Sequence, residues 1–85
     1  MELKKARLMA KSLEPVVRIG KNGISESIIN EVRKLLRKRG IIKIKLLHSF
    51  LEDKDRKITS KELADKFEAM IVEQTGGIVV LMKKY

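Results

Sequence analysis

Residues 16–23 read Val-Val-Arg-Ile-Gly-Lys-Asn-Gly, and this stretch decides how the chain folds on either side of it. Its β-branched run predicts a short strand in which Val17 and Ile19 face inward. Pro15 disfavours a helical conformation in the residue before it, so a helix cannot run into the strand. Glycine and asparagine are typical of a tight turn. The stretch therefore predicts a strand that ends in a turn.

Helical periodicity flanks this strand on both sides. Apolar residues recur at helical spacing over residues 3–13, which predicts a first helix. After the turn, Ser25 suits the N-cap of a second helix, and Gly40 suits its end. The second helix should bury one stripe, formed by Ile28, Ile29, Val32, Leu35 and Leu36.

The second half of the chain contains a clear strand and a less regular connection. Over residues 41–47, apolar positions alternate with Lys43 and Lys45, so one face should be buried and the other should add two cations to the surface. Residues 48–58 are highly charged and predict no regular element beyond a short helical turn.

A third helix and a final strand are predicted near the end of the chain. Thr59 and Glu62 have the spacing of a capping box. The helix is expected to continue to Gly76 and Gly77, with a core stripe of Leu63, Phe67, Met70 and Ile71. Residues 78–82 then form an apolar strand. We expect this strand at a sheet edge, where the lysines that follow it discourage pairing with other chains and favour a monomer.

The predicted order is α-β-α-β-α-β within one domain, residues 1–85. Such alternation favours an α/β fold: a single compact two-layer domain in which a three- or four-stranded, at least partly parallel sheet packs with three helices. The chain has no cysteine, and its first residues lack the apolar stretch of a signal peptide. We therefore expect a cytoplasmic protein.

The charge of the chain is concentrated in its first half. Residues 1–45 hold 13 Lys/Arg and 4 Asp/Glu, whereas residues 46–85 hold 7 of each, so the net charge of +9 belongs to the first half. A soluble surface usually intersperses both signs, and such asymmetry is typical of nucleic-acid binders. A polyanion is the expected partner.

The turn formed by Gly20, Lys21, Asn22 and Gly23 is the candidate site for a phosphate group. A strand-to-helix turn leaves backbone N–H groups unpaired near the positive end of a helix dipole. The alternative is that the turn only connects two elements. Basic residues on the two neighbouring helices could extend the contact: Lys4, Arg7, Lys11, Arg33, Lys34, Arg37 and Lys38. Those at the end of the second helix could equally serve to offset its dipole.

Catalytic, metal and cofactor sites are not expected. His48 is the single histidine, so a histidine-based metal site or catalytic triad lacks its partners. An EF-hand beginning at Asp53 would need glycine and glutamate where Ile58 and Ala64 stand. Aromatic residues make up 4% of the chain, too few for a sheet that stacks bases. Recognition through phosphates and helix shape remains.

Residues 13–23, Leu-Glu-Pro-Val-Val-Arg-Ile-Gly-Lys-Asn-Gly, resemble the YhbY/CRM-domain family of RNA-binding proteins. The Ile-Ile-Lys-Ile-Lys run from Ile41 and the Glu-Gln-Thr-Gly-Gly run from Glu73 look like the second strand and third-helix ending of that family. The resemblance implies a compact α/β fold and RNA binding by the glycine loop and the basic surface beside it. It also implies association with precursors of the large ribosomal subunit. The loop signature falls on residues 20–23.

Two other classes of function are open. A protein-interaction module could use the basic face to dock on an acidic partner. Adsorption to an anionic membrane is less favoured, because the helices already use their apolar stripes in the core.

Overall fold

The computed structural model describes residues 2–84 and contains four helices and four strands. Their order is α-β-α-β-α-α-β-β. The helices are α1 Leu3–Ala10, α2 Glu26–Arg39, α3 His48–Leu51 and α4 Arg56–Lys66, and the strands are β1 Pro15–Ile19, β2 Ile41–Leu46, β3 Ala69–Thr75 and β4 Ile78–Lys83. No helix in this part of the chain is both long and apolar enough to cross a membrane.

The four strands form one mixed sheet in the order β1-β2-β4-β3. Strands β1 and β2 are parallel, and the other two neighbouring pairs are antiparallel. The predicted α/β class and the partly parallel sheet are confirmed, with four strands. The prediction that residues 78–82 lie at a sheet edge is wrong, because β4 pairs with β2 on one side and β3 on the other. The edges are β1 and β3.

The third predicted helix is shorter than its apolar spacing indicated. It ends at Lys66, and residues 69–75 form β3 instead of continuing to Gly76. Met70, assigned to the helical core stripe, is 40% exposed. The reason is that β4 is buried and apolar, so its backbone groups need a hydrogen-bonded neighbour on each side. A hairpin with residues 69–75 supplies one.

The start of this helix also differs from the prediction. Asp55 is the N-cap of α4, and its carboxylate accepts a hydrogen bond of 2.9 Å from the Ile58 N–H. Thr59, expected to begin the helix in a capping box with Glu62, is buried within it. In contrast, Ser25 caps α2 as predicted, since its Oγ accepts from the backbone N–H three residues later.

The helices lie on both faces of the sheet, so the predicted two-layer arrangement is corrected to three layers. Alternate residues of the strands enter two separate hydrophobic clusters. Val17, Ile19, Ile44 and Phe67 belong to the larger cluster, beneath α2, α3 and α4. Helix α1 contributes Ala6 and Ala10 to the smaller cluster on the opposite face, with residues of β2, β3 and β4.

Candidate functional site

The candidate turn lies between the end of β1 and the start of α2, and it is closed by one hydrogen bond. The Gly23 N–H donates to the Gly20 carbonyl at 2.9 Å. Gly23 has a φ of +69°, whereas Lys21 and Asn22 keep negative φ angles. Glycine is therefore needed at position 23 for backbone conformation. One of the amides expected to meet a phosphate is already used within the protein.

Other donors of the turn are free of protein acceptors. The amides of Lys21, Asn22 and Ile24 have no hydrogen-bond acceptor among residues 2–84, and the Lys21 and Asn22 side chains are exposed. Directly after them, Ser25 is the N-cap of α2. Its Oγ accepts from the Ile28 N–H, so that amide is not free, whereas the Glu26 and Ser27 amides have no partner within the helix. These groups lie together between the end of β1 and the start of α2. They can hold an anion.

Glu26 is the one acidic residue in the first turn of α2. A carboxylate there offsets the positive end of the helix dipole and lowers the attraction for a second anion. The site therefore depends on Lys21 and the turn amides more than on the dipole.

Helix α3 packs beneath the turn. A Cβ atom on Gly20 would lie 3.1 Å from Leu47 Cδ1 and 3.4 Å from Ser49 Oγ. The missing side chain at Gly20 thus makes room for Leu47 and Ser49 at the start of α3. A Cβ atom on Gly23 would be 4.0 Å from the Phe50 ring. The turn therefore lies directly against α3 and the residue before it.

The contact with α3 places two residues near the turn that were not predicted from the sequence. Ser49 is exposed beside Gly20, and the Lys54 ammonium lies 4.8 Å from the centroid of the Phe50 ring. The only sequence signal was the short helical turn considered for residues 48–58.

The predicted basic residues of α2 fall into two groups. Lys34, Arg37 and Lys38 are exposed. Arg33 instead donates to the Lys66 carbonyl at 2.9 Å and forms an ion pair of 3.2 Å with Glu68. This is the only salt bridge among residues 2–84. Arg33 has a structural role through its Nη2 atom, whereas its Nε atom is buried without a hydrogen-bond partner.

A small basic cavity lies near the C-terminal half of α2. Its volume is about 150 Å³, and Leu36 and Phe67 contribute apolar walls. Arg37, Lys83 and Lys84 bring positive charge to its rim. Lys83 and Lys84 were expected only as charges following an edge strand. The structure instead groups them with Arg37.

The predicted basic residues of α1 do not join those of α2. Lys4, Arg7 and Lys11 are exposed, but α1 packs on the opposite face of the sheet. The helical cations therefore form two separate surfaces instead of one. The four turn residues precede α2, and Lys34, Arg37 and Lys38 lie farther along that helix.

A model of the CRS1/YhbY (CRM) domain matches residues 1–83, which is nearly the whole chain. The chain belongs to the CRS1/YhbY (CRM) domain family. The strand, the glycine turn and the helix that follows it are thus part of a CRM domain.

Two relatives and a solved structure are among the proteins similar to this CRM domain. The probable RNA-binding protein MJ0652 of Methanocaldococcus jannaschii is 38% identical over 77 residues, which are 91% of this chain and 57% of that protein. The chain thus spans little more than half the length of that relative. The probable RNA-binding protein YqeI of Bacillus subtilis is 28% identical over 78 residues, which are 92% of this chain and 79% of that protein.

A structural relative is the hypothetical protein SAV1595 from Staphylococcus aureus, solved in solution. It superimposes with a TM-score of 0.68 and 28% sequence identity, covering 98% of this chain and 84% of the other. The likeness in three dimensions extends over both layers of helices and the sheet between them.

Proposed function

We propose that this CRM domain binds structured RNA by holding its sugar-phosphate backbone at the turn formed by residues 20–23. The observation that carries the proposal is the group of unpaired amides of Lys21, Asn22 and Ile24 beside an exposed lysine at the start of α2. Backbone amides and a cation at a helix N-terminus are a suitable environment for a phosphate. Membership of the CRM family and the RNA-binding names of two relatives support RNA as the partner.

Exposed cations on α2 extend this contact. From Glu26 to Arg37 the helix rises about 16 Å at 1.5 Å per residue, so the turn and Arg37 contact different phosphates. Lys34 and Lys38 lie on the same helix. An RNA whose folded backbone presents phosphates at this spacing is preferred over a flexible single strand.

The cations of α1 belong to the opposite face and would contact a separate segment of the RNA. Lys4, Arg7 and Lys11 are exposed there and have no salt-bridge partner within residues 2–84. Arg33 connects α2 to the end of α4, through its hydrogen bonds to Lys66 and Glu68.

The resemblance to the YhbY/CRM family also supports a proposal for the biological setting. We propose a role in assembly of the large ribosomal subunit, in the cytoplasm, for a chain that acts as a monomer and uses no cofactor. The RNA would then be ribosomal RNA or a pre-ribosomal particle.

The proposal is tested with the double variant Lys21→Ala/Arg37→Ala in filter-binding titrations. Folded RNA, single-stranded RNA and duplex DNA are compared at two salt concentrations. Each phosphate contact contributes about 0.7–0.9 log units of affinity for every tenfold decrease in salt below about 1 M. The double variant loses two such contacts, so we expect its affinity for folded RNA to be about 20- to 60-fold lower at 0.1 M salt. The thermal midpoint should be unchanged, because both side chains are exposed.

The matched control is Lys57→Ala/Lys61→Ala, which removes the same charge from exposed positions of α4. It should cost much less affinity than the double variant. Full affinity of the double variant would overturn the proposal. An absence of RNA binding by the natural chain even at low salt would instead favour docking on an acidic protein partner.

A further inference from the structure

Two cations of the sheet lie side by side on neighbouring strands. Arg18 of β1 is in register with Lys45 of β2 in the parallel pair, so their Cα atoms are about 5 Å apart. The residues before and after Arg18 are Val17 and Ile19, both buried in the larger hydrophobic cluster. By alternation, Arg18 and Lys45 point to the other face, the one on which α1 packs. Both are exposed.

Helix α1 leaves this part of the sheet open. It has eight residues and packs in a cluster with Ile41, Val72, Val80 and Met82, which includes neither Arg18 nor Lys45. Arg18 and Lys45 lie toward the end of the sheet where β1 and β2 finish. Nothing among residues 2–84 covers them.

No carboxylate neutralises the pair. Continuing the same row across the sheet, Lys45 is in register with Ile78, and Ile78 is in register with Thr75. Neither cation has a salt-bridge partner within residues 2–84. Like charges directly beside one another in a sheet are destabilising. An anion bound above the two side chains would offset their repulsion.

We infer that Arg18 and Lys45 form a second contact for the RNA backbone, on the open end of the sheet beside the turn. Arg18 is two residues before Gly20, so one continuous strand of RNA leaving the turn reaches this pair within a few nucleotides. Lys43, two residues before Lys45 on the same face, extends the positive surface toward α1. The inference rests on the proposed function, because it assumes that RNA occupies the turn.

The chemistry of the row points to phosphates and not to bases. Its four positions are Arg18, Lys45, Ile78 and Thr75, none of which is aromatic. Stacking of bases on a sheet requires exposed aromatic rings. Arginine and lysine without neighbouring aromatic rings bind the phosphates of the RNA backbone. This surface should therefore add affinity without sequence preference.

The test is the charge reversal Lys45→Glu, which replaces the repulsive pair with an attractive one. Binding to the folded RNA and thermal unfolding are measured in parallel. We expect affinity to fall at least about 10-fold at 0.1 M salt, with a salt slope smaller by about 1. We expect the thermal midpoint at low salt to rise by about 2–6 °C, because an opposite-charge pair now bridges β1 and β2. Weaker binding by a more stable variant is the signature of a binding residue.

Three further variants make the result unambiguous. Lys61→Glu makes the same change of charge as Lys45→Glu, but on α4, which packs on the opposite face of the sheet. It should reduce affinity by less than about threefold. Lys45→Gln removes the repulsion without adding a carboxylate, and serves if the reversal disturbs folding. Lys21→Ala reports on the turn alone.

Unchanged affinity in Lys45→Glu, with a clear loss in Lys21→Ala, overturns this inference and leaves the proposed function in place. An equal loss in Lys45→Glu and Lys61→Glu also overturns it, since net charge alone would then explain the effect. Full affinity in both Lys45→Glu and Lys21→Ala overturns the proposed function itself.

Discussion

The guanidinium of Arg33 lies 3.2 Å from the carboxylate of Glu68 and joins α2 to the corner between α4 and β3. The same Nη2 atom donates to the Lys66 carbonyl at 2.9 Å, near the end of α4. Glu68 has a φ of +54°, a conformation that few residues other than glycine adopt. Arg33 therefore stabilises the point at which the chain leaves the helix and enters a strand.

Replacement of Arg33 by alanine should lower stability more than it lowers RNA affinity. The hydrogen bond from a charged donor is the main loss, and the half-exposed ion pair adds little, so we expect about 1–2 kcal/mol. Lys34→Ala, on the exposed side of the same helix, is the control and should change stability by less than about 0.5 kcal/mol. Urea denaturation measures both. Equal stability of the two variants would contradict the role assigned to Arg33.

The N-cap of α4 offers a second prediction. Asp55→Ala removes the acceptor of the Ile58 N–H and should cost about 1 kcal/mol. Glu62→Ala should be close to neutral, because Glu62 is an exposed residue inside the helix and not the partner in a capping box. Chemical denaturation of the two variants checks this assignment. A larger loss of stability in Glu62→Ala than in Asp55→Ala would instead support the predicted helix start at Thr59, with Glu62 in a capping box.

The two glycines of the β3–β4 hairpin should respond differently to alanine. A Cβ on Gly77 would lie 2.6 Å from the Leu46 carbonyl oxygen, which is backbone and cannot move aside easily. Gly76 has a φ of +58° and open space around it, so alanine there costs only about 1–2 kcal/mol. We expect Gly77→Ala to be the more damaging by thermal unfolding. Similar thermal midpoints for the two variants would show that the backbone at Leu46 moves aside to accommodate the new Cβ.

Salt should weaken RNA binding steeply. The net charge is +9, and the proposed contacts are with phosphates. If about four to six phosphates are contacted, log affinity should fall by roughly 3–5 per tenfold increase in salt. Titrations between 50 and 500 mM KCl (about one decade) measure the slope. A slope near zero would mean that binding does not depend on phosphates.

Much of the first half of the chain was predictable from local patterns. The β-branched residues before Gly20 predicted β1, and Val17 and Ile19 are buried as expected. Ser25 and Gly40 mark the ends of α2, because an N-cap hydroxyl and a glycine with positive φ satisfy local requirements of the helix itself. Such signals depend only on neighbouring residues.

The second half was less predictable because two patterns competed. Leu63, Phe67, Met70 and Ile71 have helical spacing, yet the last two belong to β3. What decides between helix and strand is the need of β4 for a hydrogen-bonded partner on its far side, and no local pattern reveals that need.

The sequence by itself determined the α/β class, the glycine turn between β1 and α2, and the concentration of charge in the first half of the chain. These follow from side-chain periodicity, backbone preferences and composition, which act over a few residues. Only the tertiary structure decided that α1 and α2 lie on opposite faces, that Arg33 is bound to Glu68, and that Arg18 is beside Lys45. Each depends on strand register and on which face of the sheet a helix covers, and those are set by contacts between residues distant in the chain.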